Sequence, residues 1–121
     1  MTIETLKYVN QVLSSLTNYE FGQWTTTPVP YPYFVGEYNE VGGENEDGQF
    51  ETTFILTGTT RNSMLELESV KEKIEKAFNK TAILPNGNGI AVFYMNSFTV
   101  PTDNAELKRI QINLQVKEWK V

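Results

Sequence analysis

The residues best suited to chemistry in this sequence are its acids. The densest group lies at positions 37–48, where Glu37, Glu40, Glu44, Glu46 and Asp47 are interleaved with Gly42, Gly43 and Gly48. Acids and glycines in that mixture suggest a calcium loop, which needs a glycine at its sixth position and a bidentate acid at its twelfth. With Gly48 in the glycine place, the first ligand position falls on Gly43 and the last on Phe54, so the ligand set fails. Gly87-Asn88-Gly89 has Val92 where a dinucleotide fingerprint requires its third glycine, and it leads into a strand-like run instead of a helix. It reads as a turn. Asn79-Lys80-Thr81 fits a glycosylation acceptor but follows no secretory leader. Arg61, Lys108 and Arg109 are too few and too scattered for a phosphate clamp.

The chain contains no histidine and no cysteine. That removes the commonest general base, the commonest metal ligand, every Ser-His or Cys-His nucleophile pair and any disulfide framework. General acid and base work by paired carboxylates would need two acids facing each other in an apolar pocket. The acids here fall in the polar segment or on helix faces expected to meet water. No catalytic residue, cofactor or metal is therefore expected, and elimination points away from an enzyme. Ten basic against fifteen acidic side chains give a formal charge of -5. Such a balance opposes wrapping nucleic acid by phosphate neutralisation. The first residues lack the basic start and apolar run of a signal peptide, and the longest apolar run, 90–95, is too short to cross a bilayer. A cytoplasmic product with no membrane partner is expected.

At 121 residues the chain is expected to form a single domain, residues 1–121, with a core of its own. Residues 31–61 organise it. Their first arm is aromatic (Tyr31, Tyr33, Phe34, Tyr38), and their last arm alternates Phe50, Thr52, Phe54 and Leu56 with Glu51, Thr53, Ile55 and Thr57. Period-two alternation predicts two strands, joined by an acidic tip at 39–48 that has no apolar anchor and is expected to be mobile. A hairpin of that length needs other elements to cover one face.

Before it, Ile3, Leu6, Val9, Leu13 and Leu16 fall on one face of a helix over residues 2–17, with Thr2 as its N-cap. Residues 18–32 hold Pro28, Pro30 and Pro32 and predict an extended connection that excludes a central strand. Tyr19, Phe21 and Trp24 within it either pack back under the first helix or meet another subunit. After the hairpin, Ser63 and Glu66 have the spacing of a capping box, predicting a helix from 64 to about 79 with Leu67, Val70, Ile74, Ala77 and Phe78 inward and a Glu72–Lys76 pair outward. A short buried strand is predicted at 90–94, a connection at 96–106 and a final strand at 107–119, where Ile110, Ile112, Leu114 and Val116 alternate with polar residues. The expected fold is α+β: an antiparallel sheet of about four strands with both helices on one face, in the order helix, hairpin, helix, hairpin. Its expected core is Leu6, Leu13, Phe54, Leu56, Leu67, Ile74, Phe78, Val92, Ile112 and Leu114.

The stretches YPYFVGEY, EDGQFETTFILTGTTR and ELKRIQINLQVKEWKV resemble the tail terminator, or tail-completion, proteins of long-tailed bacteriophages and prophages. The resemblance extends over nearly the whole chain in element order. It implies a homo-oligomer, a hexameric ring that caps the finished tail tube, meets the tube protein and the head-tail connector, and lets DNA pass without specific binding. It also implies a product of the bacterial host cytoplasm during assembly and of the virion tail afterwards. In such a ring an acidic lumen lets DNA slide, and Glu40, Glu44, Glu46 and Asp47 are the lumen or inter-subunit candidates. Trp24, Tyr31, Tyr33 and Tyr38 are the candidate subunit interface. Two alternatives remain: a head-tail connector or neck protein, and a monomeric, non-enzymatic ligand-binding or regulatory domain.

Overall fold

The computed structural model describes residues 1–40, 49–78 and 81–120. Its elements are α1 (Ile3–Leu16), β1 (Asn18–Phe21), β2 (Tyr33–Glu40), β3 (Gln49–Thr60), α2 (Met64–Ala77), β4 (Thr81–Ile83), β5 (Gly89–Thr99) and β6 (Lys108–Trp119). They form a six-stranded sheet in the order β1-β2-β3-β6-β5-β4, curled as a half barrel. The α+β class and the two helices agree with expectation. The count of about four strands and the purely antiparallel sheet are corrected, because β1 pairs parallel with β2 while the other neighbours are antiparallel.

The two added strands are short. β1 has four residues and β4 three, too few for an alternation to register in sequence. β1 sits at an edge, so the proline-rich segment behind it does not interrupt a ladder, as expected of a segment that cannot be central. Asn18 donates its side-chain amide to the Pro32 carbonyl at 2.9 Å, closing the loop between β1 and β2. β5 corrects the sequence reading as well: the strand continues five residues past the expected end at Tyr94, and a bulge between Tyr94 and Asn96 shifts its register.

Thr2 and Ser63 cap the two helices as expected, but the reciprocal capping box expected of Ser63 and Glu66 does not form, because the Ser63 hydroxyl is taken by the Leu65 amide instead of the Glu66 amide. The Thr2 hydroxyl accepts from the Thr5 amide and the Ser63 hydroxyl from the Leu65 amide, while the Glu66 amide donates to the Ser63 carbonyl. Among the described residues, the ion pair on α2 is Glu68–Lys71 at 2.8 Å, not the expected Glu72–Lys76.

Both helices lie on one face of the sheet. Val9 and Leu13 of α1 and Leu67, Val70 and Ile74 of α2 meet Phe34, Phe54, Leu56, Val92, Ile112 and Leu114. Every residue of the expected core is buried except Leu6, which is half-buried at its rim. Gly58 is required here. A Cβ on it would run into the ring of Phe34, its cross-strand partner, so the glycine lets the aromatic lie flat across β3. Among the described residues no helix is long and apolar enough to cross a membrane.

Candidate assembly surfaces

The expected interface aromatics separate into two groups. Trp24, Tyr31 and Tyr33 come together, with ring centroids 5.1 Å apart for Trp24–Tyr33 and 5.8 Å for Tyr31–Tyr33. All three are half-buried against one another. The Trp24 indole N–H donates to the Thr26 carbonyl. Arg61 lies over the Tyr31 ring, donates to its hydroxyl at 3.3 Å, and pairs with Glu106 at 3.2 Å. Tyr38 is elsewhere, further along β2, stacked on Phe21 of β1 with centroids 6.1 Å apart, and both rings are two-fifths exposed.

Tyr19 takes the inward alternative. Its hydroxyl donates to the Asn10 side-chain oxygen at 2.5 Å, and burial pushes its pKa up from the usual phenol range. The edge strand is thereby tied to α1. Glu20, on the opposite side of β1, accepts from the Thr25 hydroxyl and the Thr25 and Thr26 amides. The Thr25 bond leads in holding its carboxyl below the ordinary range.

Of the acidic candidates, Glu44, Glu46 and Asp47 lie outside the described residues, as does the mobility expected of the tip. Glu40, at the end of β2, is engaged within the chain. It pairs with the Met1 amine and accepts from the Thr52 hydroxyl at 2.9 Å. These contacts, the amine foremost, lower its pKa against the opposing effect of burial.

Nearby is a second carboxylate that sequence reasoning passed over. Glu118 stands at the end of β6 on the core side and is 1 % exposed. It accepts from the Thr2 amide (3.0 Å), the Thr2 hydroxyl (2.7 Å) and the Asn88 side-chain amide (2.8 Å). Burial pushes its pKa up, but the hydrogen bonds together outweigh burial and leave it below the ordinary carboxylate range. One acid thus joins the start of α1, the turn before β5 and the end of β6. The hydrophobic alternation of β6 points inward at position 118, and an acid at an inward position was the signal for it.

The sheet face away from the helices is joined by polar side chains. Arg109 donates to the Thr59 hydroxyl at 3.1 Å, Gln111 to Asn113 at 3.1 Å, Asn113 to Asn96 at 2.7 Å and Gln115 to Glu51 at 3.1 Å. Lys117 pairs with Glu51 at 3.7 Å. These bonds cross β3, β6 and β5, so the uncovered face is ordered without an apolar layer.

The surface that sequence reasoning missed is the far half of β5. Phe93, Tyr94, Met95 and Phe98 are 48, 38, 47 and 50 % exposed. Lys117 lies over the Phe93 ring and Lys71 over that of Tyr94. The run Phe-Tyr-Met-Asn-Ser-Phe was legible as more apolar residues than one buried face of a strand can use. Clustered exposed aromatics of this kind mark interaction surfaces. Among the described residues no group of three or more acids gathers to hold a metal ion.

No protein-family model and no curated protein sequence matches the chain. Among solved structures it is similar in fold to a chain described as the virion of a native gene transfer agent particle. The TM-score is 0.68 and the identity 12 %, over 92 % of this chain and 87 % of that one. The shared architecture therefore takes in nearly the whole of both chains.

Proposed function

We propose that this chain is a non-enzymatic structural subunit of a phage-like virion and, within it, the tail terminator: a self-associating ring that ends the tail tube and receives the head. The observation that carries the reading is the likeness in fold, over nearly the whole of both chains, to a chain of a virion particle. Two features support the finer role. The sheet has an exposed aromatic edge on β5 and a second, partly exposed pair, Phe21 and Tyr38, near its other edge. Such surfaces suit subunit contact. The sequence resembles tail terminators in the three stretches quoted above. On this reading the acidic segment that contains Glu44, Glu46 and Asp47 faces the lumen or the neighbouring subunit, and in the lumen its like charge would keep DNA from adhering. Glu40 serves the fold in addition, through Thr52.

Deleting the gene from a phage that carries it tests the role. Tails of uncontrolled length without heads are the expected result. Tails of normal length that fail to join heads would make the chain a connector. Normal particles would remove it from tail assembly altogether.

A further inference from the structure

The two edges of the sheet fit one another. On β5, β4 covers only Gly89 to Ala91, and from residue 92 to 99 no described strand lies on the outer side. The Val100 amide donates to the Arg109 carbonyl, so by the alternation of an antiparallel ladder Ser97 and Thr99 turn their own N–H and C=O groups outward. At the opposite edge the Gly22 amide donates to the Gly36 carbonyl, and since in a parallel pair, too, only every second residue turns its N–H and C=O to the neighbour, Tyr19 and Phe21 are left with outward backbone groups. A long open edge with apolar side chains is a liability for a monomer.

We propose that β1 of one copy of this chain pairs antiparallel with residues 92–99 of β5 in the next copy, so that the sheet continues from subunit to subunit. The inference rests on the ring reading above and gives that ring its contact. Strand direction is the first argument. β1 runs with β2, and β3, β6 and β5 then alternate, so β1 and β5 are opposed. Two copies set side by side in the same orientation therefore bring their free edges together antiparallel. The contact is head-to-tail, the kind that closes into a ring when each step adds a fixed rotation.

Charge is the second argument. Lys117, on the open face and loosely paired with Glu51 at 3.7 Å, and Lys71, on the helix side and paired with Glu68, flank β5, whereas the β1 edge carries Glu20, held by Thr25 and Thr26, and, beside it on β2, the exposed Glu37, both on the open face; the main opposition is thus between Lys117 and Glu37. The apolar groups correspond as well. Phe21 with Tyr38 lies on the helix side of one edge, and Tyr94 on the helix side of the other.

Sedimentation velocity of the purified chain and of three variants tests the pairing, with melting temperatures to verify that each variant is folded. Met95→Glu adds an acid to the β5 edge that must meet the acidic β1 edge, and Phe21→Lys sets a cation on the helix side against Lys71, which lies on that side of β5. Each alone should weaken association about tenfold or more, and mixing the two should restore it, because each retains one unaltered edge and the altered edges carry opposite charges. Ser97→Pro, which removes an outward N–H and leaves the β6 ladder intact, should weaken association equally. A wild-type chain that stays monomeric at its highest soluble concentration, unchanged association in the folded variants, or a mixture that does not recover would each overturn the pairing. The tail-length result is independent of these outcomes. Overlong tails on gene deletion with unaffected association would keep the terminator and discard this contact, while normal tails with the predicted association pattern would do the reverse.

Discussion

Successive residues of β6 occupy two different environments. Ile110, Ile112, Leu114 and Val116 point under the helices and are buried, while Arg109, Gln111, Asn113 and Gln115 point away and form side-chain hydrogen bonds with β3, with β5 or with one another. The covered face gains its stability from area removed from water and from close packing, which penalise any change of volume. The open face is held by hydrogen bonds that water could replace, each contributing only about 0.5–1.5 kcal/mol net. The fold is thus set by one face, leaving the other face and the edges less constrained by packing.

The contrast is sharpest at neighbouring positions. Leu114→Ala should cost about 2–5 kcal/mol by denaturant unfolding, and Asn113→Ala about 1 kcal/mol or less. Equal costs would break the comparison. Gly58→Ala comes next, because its methyl group would displace the buried ring of Phe34; about 1–3 kcal/mol is expected, as for other overpacked cores. Shortening the ring in a Gly58→Ala/Phe34→Leu pair should recover part of that loss.

Glu118 is the polar exception on the covered face, and Glu118→Gln should cost about 1–2 kcal/mol near neutral pH, in the range for hydrogen bonds to a charged group. Its folded pKa is depressed, so the unfolded chain takes up protons first. The stability it contributes is fully present above the ordinary carboxylate value of about 4.3 and is lost as pH falls through the depressed folded value. The wild-type advantage over the variant should shrink below about pH 4. A residual acid slope will remain in the variant, since the Glu40 pKa is lowered too. An advantage constant down to pH 2 would show that the carboxylate charge plays no part.

The smallest effect on folding is expected at the β5 edge. Phe98→Ser, at a side chain half exposed, should change monomer stability by about 0.5 kcal/mol or less. A cost above about 2 kcal/mol would place Phe98 in the core and not on a contact surface.

What the sequence disclosed follows the same division. The alternation in β3 and β6 and the 3.6-residue spacing in both helices reveal the covered face, and Leu13, Phe54, Leu67, Ile112 and Leu114 were readable as core from period alone. β1 and β4 were not readable. Each is shorter than a recognisable period and exists because a longer strand offers it a partner. The extent of β5 was obscured by its bulge, which breaks alternation at Met95. Tyr19 could be paired with the first helix but not with Asn10, and the joining of Glu118 to Thr2 and Asn88 spans residues that only the fold brings together. Of the candidate site, the meeting of Trp24, Tyr31 and Tyr33 lay within one aromatic-rich stretch, whereas Tyr38 separated from them because it sits further along β2 on the helix side.

The central claim is that the chain is a structural subunit at the head end of a tail. Cryo-electron microscopy of intact particles from a phage that carries this gene tests it most directly. The account predicts density for this fold, repeated around the tail axis, between the last ring of the tube and the head. Density for it at the distal tip or within the capsid shell, or complete particles lacking it, would contradict the claim.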